Sequence, residues 1–488
     1  RKMIIFRIDG AVRSINSVSR NFSTVLSGLS PTITANLDNA FNTGQGVYLR
    51  YTTNGWTNST VVAMTGSGTS YSANIPTFAV GTNVSYYVFT SGSNLSIAHE
   101  KADWYTINLH NNGGSNYQYT VAAGPTYYQT AGNVDFSSPT NWLVGDGSTW
   151  VNATSAPTST NVINIVTGNQ LSISDARSIS QLNVAANGTL LLQPTAQLTL
   201  TGAVQNDGII TLESGATLVQ GASSTLSGNG TYNVKQTITG AGTTTPTGRF
   251  WYLGSPVASA SSAVLLSNAN NILKRRNEQT SQWETVSTGN LEVGKGYYLQ
   301  ASNGSASAGN ITLTFSGGSL NNSPTASPMT ISGLSRTAGQ GFEGFNLVSN
   351  PYPSYLDWDA VTRSNVGGTI WYRTSDGSNM VFDTYVAGAN GGIGTSLNGT
   401  PVTKLIPPMQ SFWVRVDANA NPTLNNTGSI TFNNSMRVHF TSINGSTAGL
   451  KSTSNERDLF LRMNLLQANK KDQIIVYVNE TATNGFDI

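Results

Sequence analysis

The sequence predicts an all-β protein: an immunoglobulin-like β-sandwich, a right-handed β-solenoid-like segment, a duplicated β-sandwich domain and the start of a further β-domain. Three observations point there. Leucine or isoleucine recurs at positions 182, 190, 198, 210, 218 and 226, each inside a short alternating run, with turn residues such as Asn187-Gly188 and Asn206-Asp207-Gly208 between. The string Phe250-Trp251-Tyr252-Leu253-Gly254-Ser255-Pro256 returns as Phe345-Asn346-Leu347-Val348-Ser349-Asn350-Pro351. Finally, only 10% of residues are charged, against a usual share of about 25%. Gly, Ser, Thr and Asn take their place, which disfavours helix and suits turns and strands.

The leucine pattern is the strongest of the three. Strands of three to five residues separated by such frequent turns are what a chain winding around a flat β-solenoid produces. Laying residues 189–208 over 209–228 stacks Leu190 on Ile210, Leu192 on Leu212, Ala196 on Ala216, Leu198 on Leu218 and Gly208 on Gly228. No single coil could bury its apolar face, so each must stack on a neighbour. An irregular β-sandwich with coincidental spacing is the competing reading.

Composition excludes several classes. Net charge is +2, and Lys274-Arg275-Arg276 is the one basic cluster, so the stripe or patch of a nucleic-acid binder is missing. The chain has no cysteine, which removes disulfides, thiolate nucleophiles and Cys-ligated zinc. No run of 18 apolar residues marks a membrane span. A large β-protein without disulfides suggests bacterial secretion. The first residue is Arg1 and no signal peptide is visible, so a fragment of a longer precursor is expected.

Along the chain, residues 1–24 are a strand or linker without clear assignment. Residues 25–121 carry short strands, among them Thr32-Ile33-Thr34-Ala35-Asn36-Leu37 and Val84-Ser85-Tyr86-Tyr87-Val88-Phe89, spaced as in an immunoglobulin-like sandwich. The motifs YLRYTTNGW, YSANIP and VSYYVF resemble sandwich modules that Bacteroidota attach to secreted proteins, and also small carbohydrate-binding modules. Trp56, Trp104, Tyr105 and Tyr117 are the candidate ligand-binding residues, with Tyr119 beside them, because flat rings match the apolar faces of pyranoses. Aromatics on strands are ordinarily core or cross-strand pairs, and Tyr86 and Tyr87 are read that way. Residues 122–240 form the capped solenoid, with Trp142 and Trp150 in the cap, which resembles the region preceding such solenoids in Bacteroidota surface proteins.

Residues 241–440 form the duplicated domain. Leu291–Leu299 parallels Ile406–Val414, and Ile311–Phe315 parallels Ser429–Phe432, which suggests two related sheets packed as one unit. The strings GFNLVSNPYPSYLDWDAV, IWYR, LIPPMQSFWVRV and ITFNNSMRVHF resemble a β-domain near the C-termini of large Bacteroidota cell-surface proteins exported by the type IX secretion system. The resemblance implies spacers, stalks and adhesive modules, and brings no catalytic residue. Residues 441–488 are a linker and a partial C-terminal β-domain. A sorting domain that engages the secretion machinery is expected beyond Ile488.

Chemistry is sparse. The histidines are His99, His110 and His439, and the spacing of the first two fits no zinc signature. Asp357 and Asp359 flank Trp358 as a glycosidase pair might require, but two residues apart after Pro351 and Pro353 they read as a helix start, Asp357 capping and Asp359 near the positive end. The turns at Asp146-Gly147, Asn206-Asp207-Gly208 and Asp376-Gly377-Ser378 offer oxygens for a structural calcium ion, without the spaced acids of a dedicated loop. No other cofactor is expected. The sequence thus predicts a non-enzymatic, secreted cell-surface adhesin or stalk that presents a module for polysaccharide or surface glycan. Two other readings stay open: a structural subunit that self-associates into an extracellular filament through strands at its termini, and an accessory binding region of a larger polysaccharide-degrading enzyme.

Overall fold

The computed structural model describes residues 13–440, apart from 41–43, 93–101, 103–104, 125, 241–249, 304, 306–308, 376–379, 389–391 and 398–401, together with the backbone of Leu459–Gln467 and Lys470–Val478. It is all-β, with 51% strand and no α-helix. Among the described residues no helix is long and apolar enough to cross a membrane. Two compact units emerge, one up to Ala131 together with Ser137–Asn164, the other Gly132–Phe136 together with the chain from Ile165 onward.

The first unit holds the immunoglobulin-like sandwich. One sheet runs Ile15–Arg20, Thr32–Leu37, Ser70–Asn74, Thr65–Ser67; the other runs Thr60–Ala63, Gly46–Thr52, Asn83–Ser91, Thr106–His110, with Tyr117–Thr120 also on Asn83–Ser91. Period-two alternation sends Ile33, Ala35 and Leu37 of one sheet against Val47, Leu49, Val84, Tyr86 and Val88 of the other. The sandwich begins earlier than residue 25. Ile15–Arg20 pairs antiparallel with Thr32–Leu37, yet its sequence INSVSR buries only Ile15, so it supplies backbone pairing to a sheet edge with almost no apolar signature. The segment expected to cap the solenoid clusters largely with this unit, where Tyr127, Val144 and Val151 pack on the sandwich core and Trp142 is buried against Tyr128.

In the second unit, the solenoid makes about three turns within residues 162–234. On one face Val134–Asp135, Gln170–Ile173, Thr189–Leu192, Ile209–Leu212 and Thr231–Gly240 follow one another in parallel. Leu171, Leu190, Ile210 and Tyr232 form one buried column, and Ile173, Leu192, Leu212 and Val234 the next. Each fully buried branched side chain contributes roughly 1.5–3 kcal/mol. A second face stacks Ala176–Ile179, Gln197–Leu200 and Thr217–Gln220, with Leu198 on Leu218 as the spacing requires. Gly208 does not stack on Gly228. Ile209 faces Thr231, so this coil is two residues longer than the one before, and the N–H of Gly230 bonds the Asn206 carbonyl at 2.8 Å. The extra residues sit in the turn, where length is free as long as the columns stay in register.

The strand Thr231–Gly240 closes the solenoid and also opens the next domain. Its other edge pairs antiparallel with Gly309–Phe315. The same relation links Met329–Arg336 to Asn426–Phe432. Within each such pair lies a four-stranded arrangement in the same order, first, fourth, second, third: Phe250–Leu253, Tyr297–Gln300, Ile272–Asn277, Gln282–Thr285, and then Phe345–Ser349, Ser411–Arg415, Thr369–Ser375, Met380–Val386, with Ile393–Thr395 added at the edge. The structural repeat is therefore six strands long and starts inside the solenoid's last coil.

Residues 437–439 lie against the outer edge of the solenoid's second face. Arg437 is buried, donates from Nη2 to the Leu218 carbonyl at 2.7 Å and from Nη1 to Gln220, and stacks on Tyr352. His439 bridges Thr199 at 3.0 Å and Thr217 at 2.7 Å. Burial, with the neighbouring Arg437 charge, pushes the His439 pKa down to about 4.

The folded state holds His439 neutral while the unfolded chain titrates it near 6.5, so its stabilising contribution is complete above that value and disappears as the pH falls toward 4. In urea unfolding, the wild type should lose roughly 1–2 kcal/mol more than His439→Gln between neutral pH and pH 4, its partial exposure limiting the effect; equal losses would remove His439 as the titrating group. Gly208→Ala puts a Cβ 2.2 Å from the Gly188 carbonyl oxygen and 2.5 Å from that of Ala185. Because both obstacles are backbone, it should destabilise by roughly 2–3 kcal/mol, read as a lower urea midpoint; an unchanged midpoint would mean that the coils can move apart there.

Candidate functional site

The two four-stranded arrangements meet edge to edge. Leu253 bridges Gln410 and Lys295 bridges Val348, and the Gln410 side chain donates to the Tyr252 carbonyl at 3.1 Å. At this seam a Cβ on Gly254 would lie 2.0 Å from Ser349 Oγ, so only glycine permits the approach. One face of the joined sheets enters the domain cores: Leu253, Leu273, Tyr297 and Leu299 from the first half, and Ile370, Tyr372, Phe412 and Val414 from the second, are all buried.

The opposite face of an antiparallel sheet is ordinarily polar. Here it is aromatic. Phe250 and Tyr252, Tyr298, Trp283, Phe345, Trp413, Trp371 and Phe382 all leave their strands on this side and line a groove of about 750 Å³, a size that accommodates a drug-sized ligand. Cross-strand register places them side by side, Tyr252 opposite Tyr298 and Trp371 opposite Trp413. The rings brace one another edge to face and in offset stacks: Trp283 with Trp413 at 5.8 Å across the seam, Phe250 with Tyr298 at 5.1 Å, Phe345 with Trp371 at 5.1 Å. Tyr252 and Trp413 form the buried floor, Trp283, Tyr298, Phe345 and Trp371 are half-exposed walls, and Phe342 stands 79% exposed at the rim. Burial pushes the Tyr298 hydroxyl up to about 12, so it stays a neutral donor and acceptor. Lys274, Arg276 and Arg373 also line it, with Ser281, Gly341 and Met380, and among the described residues no carboxylate or histidine faces it.

The residues singled out from sequence behave differently. Trp56 has a left-handed backbone (φ 71°) in its turn and rests on Tyr87 at 5.2 Å. Tyr117 is stacked on Tyr86 at 5.3 Å and on His110 at 5.9 Å, with its hydroxyl bonded to His110 Nδ1 at 2.9 Å, so its ring is engaged within the fold. Tyr86 and Tyr87 are adjacent on one strand and point to opposite faces, so Trp56 and Tyr117 share no platform. Tyr119 is buried, Tyr105 is half-buried, and Trp104 and His99 lie outside the described residues.

Asp357 caps a 3₁₀ turn, accepting from the Asp359 N–H at 3.1 Å, and pairs with Lys404 at 2.7 Å. Asp359 accepts the Tyr385 hydroxyl at 2.9 Å. Neither borders the groove. The Asp146 carboxylate accepts from the Ser148 and Thr149 N–H groups and the Ser148 hydroxyl, and these hydrogen bonds hold its pKa down to about 2 despite partial desolvation. Asp376 lies outside the described residues, among which no three His, Cys, Asp or Glu side chains group as metal ligands would.

The signal for the groove is the doubly apolar stretch on its strands: Phe250-Trp251-Tyr252-Leu253, Tyr297-Tyr298-Leu299, Ile370-Trp371-Tyr372 and Phe412-Trp413-Val414 are apolar on both faces, and an antiparallel strand apolar on both faces needs a partner on each. Compared with known proteins, the chain matches no curated protein. Residues 132–488 match the model of a family described as a domain of unknown function, DUF8693. That span covers most of the chain, including both halves of the groove, and the chain belongs to the DUF8693 family.

Proposed function

We propose that the protein is a non-enzymatic, secreted cell-surface protein that binds glycan through the aromatic groove of its duplicated domain. The observation that supports this is the groove itself: eight rings on one sheet face, seven of them braced against a neighbouring ring, beside donors from Tyr298, Lys274 and the arginines. Flat rings bury the C–H faces of pyranoses, and rigid rings lose little entropy on binding. Hydrolysis would require a carboxylate pair across the sugar, and the described lining supplies none. Surface display follows the resemblance of the GFNLVSNPYP region to cell-surface β-domains, and the solenoid acts as the spacer beneath the groove.

Screening the soluble chain on a glycan array tests the proposal. Trp283→Ala and Trp371→Ala should each weaken the binding at least about tenfold, the equivalent of about 1.4 kcal/mol, whereas Trp56→Ala should leave it unchanged. Silence across the array, or loss of binding with Trp56→Ala alone, would overturn the assignment to this groove.

A further inference from the structure

The groove's cations differ from Arg275, which lies on the same strand as two of them. On Ile272–Asn277, alternation sends Lys274 and Arg276 into the groove and Arg275 to the far side. Arg275 is held by two carboxylates, Glu284 at 2.8 Å and Glu292 at 3.2 Å. Among the described residues, neither Lys274 nor Arg276 nor Arg373 has an ion pair. Arg276 donates to the Ser281 hydroxyl at 2.8 Å. The nearby Glu278 attracts it through space but forms no ion pair with it, its carboxylate accepting instead from the Thr337 and Gly344 N–H groups and the Ser335 and Thr337 hydroxyls.

Each cation also has a ring directly across the ladder: Lys274 faces Tyr298, Arg276 faces Trp283, and Arg373 faces Phe382, with the guanidinium 4.7 Å from that ring's centre. Three cations set into an aromatic wall, with no counter-charge from the described lining, match a ligand that has an apolar face and an anionic substituent on the same ring. We propose, on the basis of the glycan-binding role above, that the groove selects an acidic polysaccharide: pyranose rings stack on the aromatic walls while their carboxylates or sulfates reach Lys274, Arg276 and Arg373. Charge-assisted contacts to a carboxylate are the stronger class of hydrogen bond, and Arg276 and Arg373 can each present a two-pronged donor face.

Isothermal titration of the full chain tests this with three oligosaccharides of matched length: an oligogalacturonate, a sulfated oligogalactan and a neutral oligogalactan. At low salt at least one anionic chain should bind about tenfold or more tightly than the neutral one, and the advantage should shrink as salt is added. Whichever anionic probe leads identifies the carboxylate or the sulfate as the recognised group. The triple variant Lys274→Gln, Arg276→Gln, Arg373→Gln should weaken the anionic probes about tenfold or more beyond any loss of the neutral one, so that the preference disappears, and Arg373→Lys should retain part of it. Equal affinity for all three probes, unaffected by the triple variant, overturns the charge selection and leaves glycan binding standing. Heat with none of the probes, or binding that Trp283→Ala leaves unchanged, overturns both. Binding of an acidic peptide with no saccharide bound would replace the ligand class.

Discussion

A solenoid built from parallel strands ends in an open edge. Its last coil exposes a row of N–H and C=O groups and the end of its apolar columns. In this protein that edge is where the second domain starts. Thr231–Gly240 is parallel to the coil before it and antiparallel to Gly309–Phe315 after it, so one strand terminates the stack and nucleates the repeat. The second face is closed by backbone and side chain together, the Leu218 N–H bonding the Pro353 carbonyl at 2.9 Å and Arg437 taking the Leu218 carbonyl. A buried guanidinium is costly unless its donors are used. Arg437 uses them on Ser354, Gln220, Asn434 and Leu218 and places its plane over Tyr352. The solenoid's end and the duplicated domain are thus mutually dependent structures.

The groove follows from the same duplication. Each half builds a short antiparallel sheet, and a short sheet leaves a free edge. The two free edges are joined at Leu253–Gln410 and Lys295–Val348, doubling the width of one continuous face. Once that face is wide enough, rings from different halves can meet, as Trp283 and Trp413 do. Neither half alone would enclose 750 Å³.

How much of this was legible depended on whether a feature leaves a local pattern. The columns of Leu190, Ile210 and their neighbours are a strict consequence of periodicity, and the overlay found them. Gly228 departs from the repeat because turns are free to vary in length; Gly230, whose N–H meets the Asn206 carbonyl, takes that place. Ile15–Arg20 was invisible because an edge strand needs backbone more than side chains. Asp357 does cap, but what it caps is a single 3₁₀ turn, not the helix that its spacing to Asp359 and the preceding prolines suggest. The groove was hidden for another reason. Trp371 and Tyr372 are neighbours in sequence, and nothing local says that Tyr372 enters the core while Trp371 faces the groove, since both faces of the strand are apolar.

That ambiguity is itself informative about where binding sites arise. A ring in a turn, such as Trp56, is conspicuous in a sequence because it interrupts polar residues, yet its freedom is taken up by the nearest apolar neighbour, here Tyr87 at 5.2 Å. A ring on a doubly apolar strand is inconspicuous, but the ladder fixes its backbone and adjacent rings fix its rotamer, so little remains to be ordered when a ligand arrives. Trp371 and Trp413 meet that condition, each held by a neighbouring ring. Of the eight rings on the outer face of this antiparallel sheet, all but Tyr252 and Trp413 are partly or wholly exposed, and the proposed glycan binding rests on that apolar surface. The cations beside them sharpen the point, because Arg275, one residue from both Lys274 and Arg276, shows that this strand can pair its charges when it faces the other way.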